Sequence, residues 1–562
     1  MTSGRSARVT VSPGDVLAWL CLPAVALWCV AVAVDRVGPG LGSVPHAHRV
    51  IAVSLFAVPA ALVLAGVGYR APSSALVRRC AWLAIGVAGA FLLAPEVAKH
   101  STIAWAVPGA IVTAWVMMRR PAAGVALIIA ATAAFGSLSA YTNIPYTRGI
   151  DLLLVGLWLA ALARLALSTR ARRFALWPGI ALAILFLAVT VGQMLLAPSV
   201  HQAFGFFRVT DWYMLSLLLV AYSQWSSATH LRIVRFALVT ALLVGIYAVV
   251  QLVRGPTAAE FAQVAKSGFN FVNGKPKLTG SFPNGADLGS WTTLMLPFCL
   301  SCALTFPGRV RIVSIAAMPL LAIGLVGSGV RAGGVSVLIA VLVVLTLHQM
   351  TRASPGPRLG RAFGAMLVVL AVGFGAYSLA SSHVNKVGHN FAGLLGIGGS
   401  HDLSLSQHEY KWSAVFRDLP GHPFGFGLGA VPPGSPTDPG PQGAHLPANT
   451  LGVDNGYLEI AIQQGLAIMV LFALALLLVL GGLVHRATGC RDPVRAGIAI
   501  GAAGTLVALM VLEGAGAFID SLPALSAWIV IGLGVAQFMP RRDSPDRRGA
   551  AAARSAAGAV SV

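Results

Sequence analysis

Two arginines, a short carboxylate–amide run and four histidines are the residues in this sequence best suited to chemistry on a charged substrate. Arg331 lies in Gly327-Ser-Gly-Val-Arg-Ala-Gly-Gly334, a glycine-rich turn that opens an apolar stretch. Free amide N–H groups at a helix start, joined by a guanidinium fork, make a phosphate site. The competing reading is an arginine that snorkels to a membrane interface. Arg208, in Phe206-Phe-Arg-Val-Thr-Asp211, offers either a second phosphate clamp or an interfacial ion pair with Asp211.

A long polar segment carries the rest. It runs through His401-Asp402, His408-Glu409, Leu419-Pro-Gly-His-Pro-Phe-Gly-Phe-Gly-Leu-Gly-Ala430 and His445, then closes on Gly452-Val-Asp-Asn-Gly-Tyr-Leu-Glu459. The spacing of His401, His408, His422 and His445 fits no compact metal-ligand set, so neither metal nor cofactor is expected. Glycines 421, 425, 427 and 429 predict a bent loop that folds back toward the membrane, and no P-loop lysine follows them. Asp454 and Asn455 directly precede an apolar helix, where both are favoured N-caps. Capping and catalysis are compatible, because a cap fixes a carboxylate where a general base must stand. Asp454 needs burial to lift it from about 3.9, whereas His445 needs no such tuning; both remain candidates, with Asp454 preferred. Glu459 and Gln463, at i and i+4, share one helix face, and polar groups there should face protein or water.

The elements that position these residues are set by composition. Of 562 residues 57% are hydrophobic and 10% charged, against roughly 25% charged in soluble domains. Apolar stretches of about 20 residues recur, each long enough to cross a hydrocarbon core. Backbone groups there must be satisfied within the segment, so each is a helix. The alternation a barrel would need is absent. Candidate spans begin near residues 14, 50, 80, 101, 121, 149, 174, 212, 233, 288, 312, 335, 362, 456, 495 and 524. The eighth and eleventh are short enough to be broken or re-entrant. The expected fold is an all-α polytopic transmembrane bundle of about 14–16 spans.

A net charge of +21 invites a nucleic-acid reading, which its distribution excludes. With the N-terminus inside, alternate connections collect 26 of the 39 basic residues, among them Arg78, Arg79, Arg119, Arg120, Arg309 and Arg311. Of the carboxylates, only Asp15, Asp492, Asp543 and Asp546 fall on that side. This is the positive-inside pattern, with affinity for anionic lipid. It places both termini in the cytoplasm and the loop 381–454 on the outer face of a bacterial cytoplasmic membrane. Residues 1–197 read as an accessory bundle, 198–485 as the core with its exoplasmic loop, 486–540 as C-terminal helices, and 541–562 as a disordered cytoplasmic tail.

Four motifs then follow in order: Ser281-Phe-Pro-Asn284, Ser328-Gly-Val-Arg331, His422-Pro-Phe-Gly-Phe-Gly427, and Asp454-Asn-Gly-Tyr-Leu458 with Gln464-Gly465. Over roughly residues 200–485 the set resembles the O-antigen ligase and polymerase superfamily. The resemblance implies a glycosyltransferase that uses no metal or nucleotide sugar. It would move a glycan from a polyprenyl-diphosphate lipid to a glycan or glycolipid acceptor. By the same resemblance Arg331 and Arg208 bind the diphosphate, Asp454 or His445 is catalytic, and Asn284, His422, Asn455, Tyr457 and Glu459 contact substrate. Ligases of the family usually carry histidine where Asp454 stands; Asp-Asn is more typical of polymerase-like members. A glycolipid flippase or a non-catalytic envelope-assembly protein is the alternative. A flippase would call for charges near the bilayer midplane, which the spans scarcely contain.

The charge partition makes the first prediction. A cysteine introduced between residues 381 and 454 should react with an impermeant thiol reagent in intact cells, and one placed after Pro540 should not. The opposite labelling would invert the topology.

Overall fold

The long apolar runs are helical wherever the structure, a computed structural model, describes them. The described residues are 113–142, 150–151, 153–160, 177–196, 200–209, 211–223, 225–265, 271–272, 275–351, 403–429, 453, 455–514, 516 and 521–539. The expected spans near 14, 50, 80 and 362, the first part of the one near 101, the tail after 540, and both Asp454 and His445 lie outside them.

The elements in chain order are α1 (Pro121–Thr142), α2 (Pro178–Leu196), α3 (Val200–Val209), α4 (Asp211–Tyr222), α5 (Ser227–Arg254) and α6 (Ala258–Val264). Two short strands follow, β1 (Phe271–Val272) and β2 (Lys275–Pro276), paired antiparallel. Then come α7 (Gly285–Thr305), α8 (Gly308–Ser328), α9 (Arg331–Met350), α10 (Leu403–Asp418), α11 (Gly456–Gln464), α12 (Leu466–Thr488), α13 (Pro493–Glu513) and α14 (Leu522–Ala536). Among the described residues, seven helices are long and apolar enough to cross a membrane, and three shorter ones are apolar. The protein is a multi-pass, all-α membrane protein.

The described residues fall into two compact units. In the first, 113–125 with 150–151 and 153–160, Gly124 and Gly156 lie directly against Met117 and Thr113. The second holds the remainder, built around antiparallel α7 and α13. Small residues bring these two together: a Cβ on Gly497 would stand 2.0 Å from Thr305 Oγ1, and one on Gly501 2.7 Å from Phe298 Cδ2. Ser301 Oγ donates to the Gly497 carbonyl at 2.6 Å, and Thr505 Oγ1 to that of Leu294 at 2.9 Å. In an apolar medium such short polar contacts and close backbone approach hold helices together. The contacts between Gly504 and both Val344 and Pro297 add α9 to the pair. The first turns of α7 and α9 and the last turn of α13 therefore share one end of the bundle.

Sequence boundaries explain where helices start. Asp492 Oδ1 accepts from the amides of Val494 at 2.9 Å and Arg495 at 3.3 Å, with Pro493 in the first turn of α13. Thr257 and Glu260 form a capping box on α6, the reciprocal arrangement that satisfies two otherwise unmet donors.

Two expectations change. The eleventh span is unbroken: α8 is continuous for 21 residues and carries Pro319 inside it. The span that opens at 456 is broken instead, into α11 and α12 at Gly465, whose φ of 99° and ψ of 158° lie in a region essentially confined to glycine. The break is matched by the glycine-rich loop. Phe426 and Gly427 N–H donate to the carbonyls of Ile462 and Gln463 at 2.7 and 3.1 Å, and Leu466 N–H donates to Pro423 at 3.3 Å. The Gly425, Gly427 and Gly429 φ values of 75°, 106° and 81° let that loop turn tightly enough to do so.

Gly465→Ala should therefore lower stability by about 1–3 kcal/mol from backbone strain alone, before its Cβ meets the Pro423 carbonyl at 2.6 Å. Gly481, on α12 with open space around its Cα, is the control: Gly481→Ala should hold or raise the midpoint of thermal unfolding in detergent. Equal midpoints for the two variants would refute the account of the break.

Candidate functional site

At the shared end of α7, α9 and α13, the turn from α8 to α9 is pinned first. Gly329 takes the left-handed conformation (φ 71°) that ends α8. Ser328 Oγ donates to the Leu325 carbonyl at 2.7 Å and accepts from Val330 N–H at 3.3 Å. The turn packs on the first turns of α7: a Cβ on Gly289 would sit 2.4 Å from both Ser328 Oγ and Val330 Cγ2. Glycine at 289 is what admits it. Arg331 then begins α9 with its side chain exposed. Val330 before it has no side-chain oxygen to cap the first amides. α7 differs, since Asn284 Oδ1 accepts from Asp287 N–H at 2.7 Å and Asn284 Nδ2 donates to the Asp287 carboxylate at 2.9 Å.

Lys277 lies alongside. Its stem runs past Gly285 and Gly329, 3.1 and 3.6 Å from where their Cβ atoms would be. Its segment is held by Leu278 N–H donating to the Gly327 carbonyl at 3.0 Å. Further back, Gln251 Oε1 accepts from the amides of Thr279 and Gly280 at 3.0 and 2.7 Å. Burial, with the Arg331 charge second, holds the Lys277 ammonium below its usual range. Two cations thus stand at one turn, beside a helix start that Val330 does not cap with a side chain. In the sequence Lys277 is one of three lysines between residues 266 and 277, with nothing local to single it out. Its partnership with Arg331 comes from the Leu278–Gly327 contact, which no spacing encodes.

The Asn455 motif is anchored separately. Asn455 Oδ1 accepts from Leu458 N–H at 3.1 Å, capping α11, while its Nδ2 donates to the Gly514 carbonyl at 2.9 Å. Tyr457 Oη donates to Met510 at 3.0 Å. Gln463 Nε2 donates to Glu459 at 3.3 Å, and Gln463 Oε1 accepts from Gly429 N–H at 2.8 Å. The amides of Asn284 and Asn455 are thus engaged at both ends, holding helix starts in place. His422 is exposed and stacks on Phe426, ring centroids 4.0 Å apart. Val415 of α10, Val453, and Leu458 and Ile462 of α11 form one apolar cluster that seats the loop.

Arg208 is half-buried in the last turn of α3. The other face of α3, through Ala203 and Phe206, packs on Leu428 of the glycine-rich loop. Arg331 with Lys277 and Asn284 therefore forms one group; Asn455, Tyr457, Glu459 and Gln463 form another, with α3 reaching the second through the loop. Both stand at the ends of helices packed on α13. Asp454 and His445 lie outside the described residues.

Residues 316–473 match the model of the family described as O-antigen ligase. Over that stretch, a little over a quarter of the chain, the protein is similar to O-antigen ligases. The match takes in Arg331, His422, His445, Asp454, Asn455, Tyr457 and Glu459, and ends short of Arg208, Lys277 and Asn284. No curated protein matches the chain.

If Lys277 and Arg331 form an anion site, Lys277→Gln and Arg331→Gln should each weaken binding of inorganic pyrophosphate to detergent-solubilised protein by roughly 10- to 100-fold, the worth of a charge-assisted hydrogen bond. Arg417→Gln, which removes an exposed arginine bound to its neighbour Asp418, should leave binding unchanged. Unaltered pyrophosphate affinity in both site variants would eliminate the anion site.

Proposed function

We propose that this protein transfers a glycan from a polyprenyl-diphosphate lipid to an acceptor sugar hydroxyl, on the outer face of a bacterial cytoplasmic membrane. The observation that carries the reading is the Lys277–Arg331 pair at the uncapped start of α9, within and beside the stretch that matches the O-antigen ligase family. A diphosphate joined to a sugar is a pre-activated donor, so the transfer can proceed where ATP and nucleotide sugars are absent.

The chemistry balances without a co-reactant. The acceptor oxygen bonds to the anomeric carbon as the carbon–oxygen bond to phosphate breaks, and the acceptor proton passes to a base. Polyprenyl diphosphate departs with the electron pair. In this scheme Arg331, Lys277 and Arg208 stabilise the charge that grows on the leaving diphosphate, which is the largest contribution a site of this kind makes. Arg331 gives a bidentate fork and Lys277 a compact point charge. Asp454 takes the proton, with His445 the competing base. Glu459, Tyr457 and His422 line the acceptor side, and Asn284 and Asn455 set the helix starts around it.

The test uses the lipid-linked glycan that accumulates in a deletion strain, reconstituted with purified protein and an envelope extract as acceptor source. Wild type should consume the donor and release polyprenyl diphosphate. Arg331→Ala should abolish this while accumulating normally in the membrane, and Arg331→Lys should restore little. Asp454→Asn caps as well as aspartate but accepts no proton, so it should be folded and inactive, with His445→Ala retaining measurable turnover. An active Asp454→Asn protein would transfer the role of base to His445; a wild-type protein that leaves the donor intact would end the transferase reading.

A further inference from the structure

The last residue of α13, Glu513, is a carboxylate that none of the chemistry above uses. It is 1% exposed. It stands at the C-terminal end of its own helix, where the helix dipole disfavours negative charge, and burial of a charged group is costly. An ionisable group at the end of a membrane helix is by default a functional one.

Its surroundings say which function. A Cβ added to Gly456 would stand 1.9 Å from Glu513 Oε2, so the carboxylate occupies the space that a side chain at 456 would take. Around it the last turn of α13 and the first turn of α11 are stitched together. Tyr457 Oη donates to Met510, Asn455 Nδ2 to Gly514, and Gly456 N–H to the Gly516 carbonyl at 3.0, 2.9 and 3.3 Å. The carboxyl group therefore faces the first turn of α11, whose cap Asn455 follows Asp454 in the sequence. The motif's glycine, which has no side chain to contribute, is there to admit it.

The geometry points to Glu513 as a positioning residue of the transfer reaction, acting through the Asn455-Gly456-Tyr457 turn on the segment that carries the base. The inference rests on the transferase reading above. The charge anchors the first turn of α11 against α13 and so fixes the direction from which the chain enters it. It touches no substrate; its effect is on turnover and not on donor binding.

Four proteins compared in the reconstituted assay test this: wild type, Glu513→Gln, Glu513→Asp and Gly456→Ala. Glu513→Gln keeps size and should keep the unfolding midpoint, yet lower kcat by about 10- to 100-fold, as misplacement of a reacting group does, with the donor KM changed less than about threefold. Glu513→Asp, which keeps the charge, should retain more turnover than Glu513→Gln. Gly456→Ala should lose kcat in the same way, and adding it to Glu513→Gln should cost little more, the non-additivity of residues that act as a unit. Wild-type turnover in Glu513→Gln would overturn the proposal, as would a rise in donor KM at unchanged kcat. An inactive wild type would instead indict the transferase reading on which it stands.

Discussion

A helix that stops near hydrocarbon leaves amides and carbonyls that water cannot reach, and the protein must match them from within. The arrangement of this molecule follows from where it accepts that cost. At Gly465 the broken span is completed by the Pro423–Gly429 loop, by Thr190 donating to Gln464 at 2.9 Å, and by Gln193 donating to the Gln464 carbonyl at 3.2 Å. At Gly327–Val330 the turn is completed by Leu278 and Ser328. Each interruption draws polar groups from distant parts of the chain to one place, and each places side chains suited to chemistry beside it. The glycine-rich loop is thus a clamp on a helix break, and its glycines serve the backbone that does the clamping.

The same constraint explains the division of labour among the polar residues. Asn284 and Asn455 are spent on helix starts, Gln251 on the loop that carries Lys277, and Gln463 on the clamp. Arg331 and Lys277 instead carry charge beside one of these turns, and His422 is exposed on the loop that clamps the other.

The membrane class and most of the described helices were legible in the sequence, because hydrophobic length is a local property. So was the bend of the glycine-rich loop, since three of its four glycines take the positive φ that tight turning needs. The turn that opens α9 at Arg331 was legible for the same local reason, its glycine-rich flanks. The break at Gly465 was hidden: nothing in the apolar run after Asn455 separates a glycine that bends a helix from one that only fills it. Lys277 and Glu513 were hidden for a different reason. Each is defined by a neighbour far away in the chain, Gly327 for the segment bearing Lys277 and Gly456 for Glu513. The sequence carries Glu513 plainly at the end of an apolar stretch, and a carboxylate in that position is itself the signal that could have found it.

The notched contact between α7 and α13 has a consequence for how this sequence can drift. On the surfaces turned away from the core, residues such as Leu243, Val253, Ile312 and Leu342 are 59%, 78%, 66% and 51% exposed; a lipid tail distinguishes poorly among leucine, isoleucine and valine, so these sites can wander through the apolar alphabet at little cost. Gly497, Gly501 and Gly504 have no such freedom, because any added methyl meets Thr305, Phe298 or Val344 at 2.0–2.7 Å. Divergent descendants of this chain should therefore share little overall identity yet keep a sparse ladder of small residues along one helix, a signature invisible to whole-length similarity and readable as spacing alone.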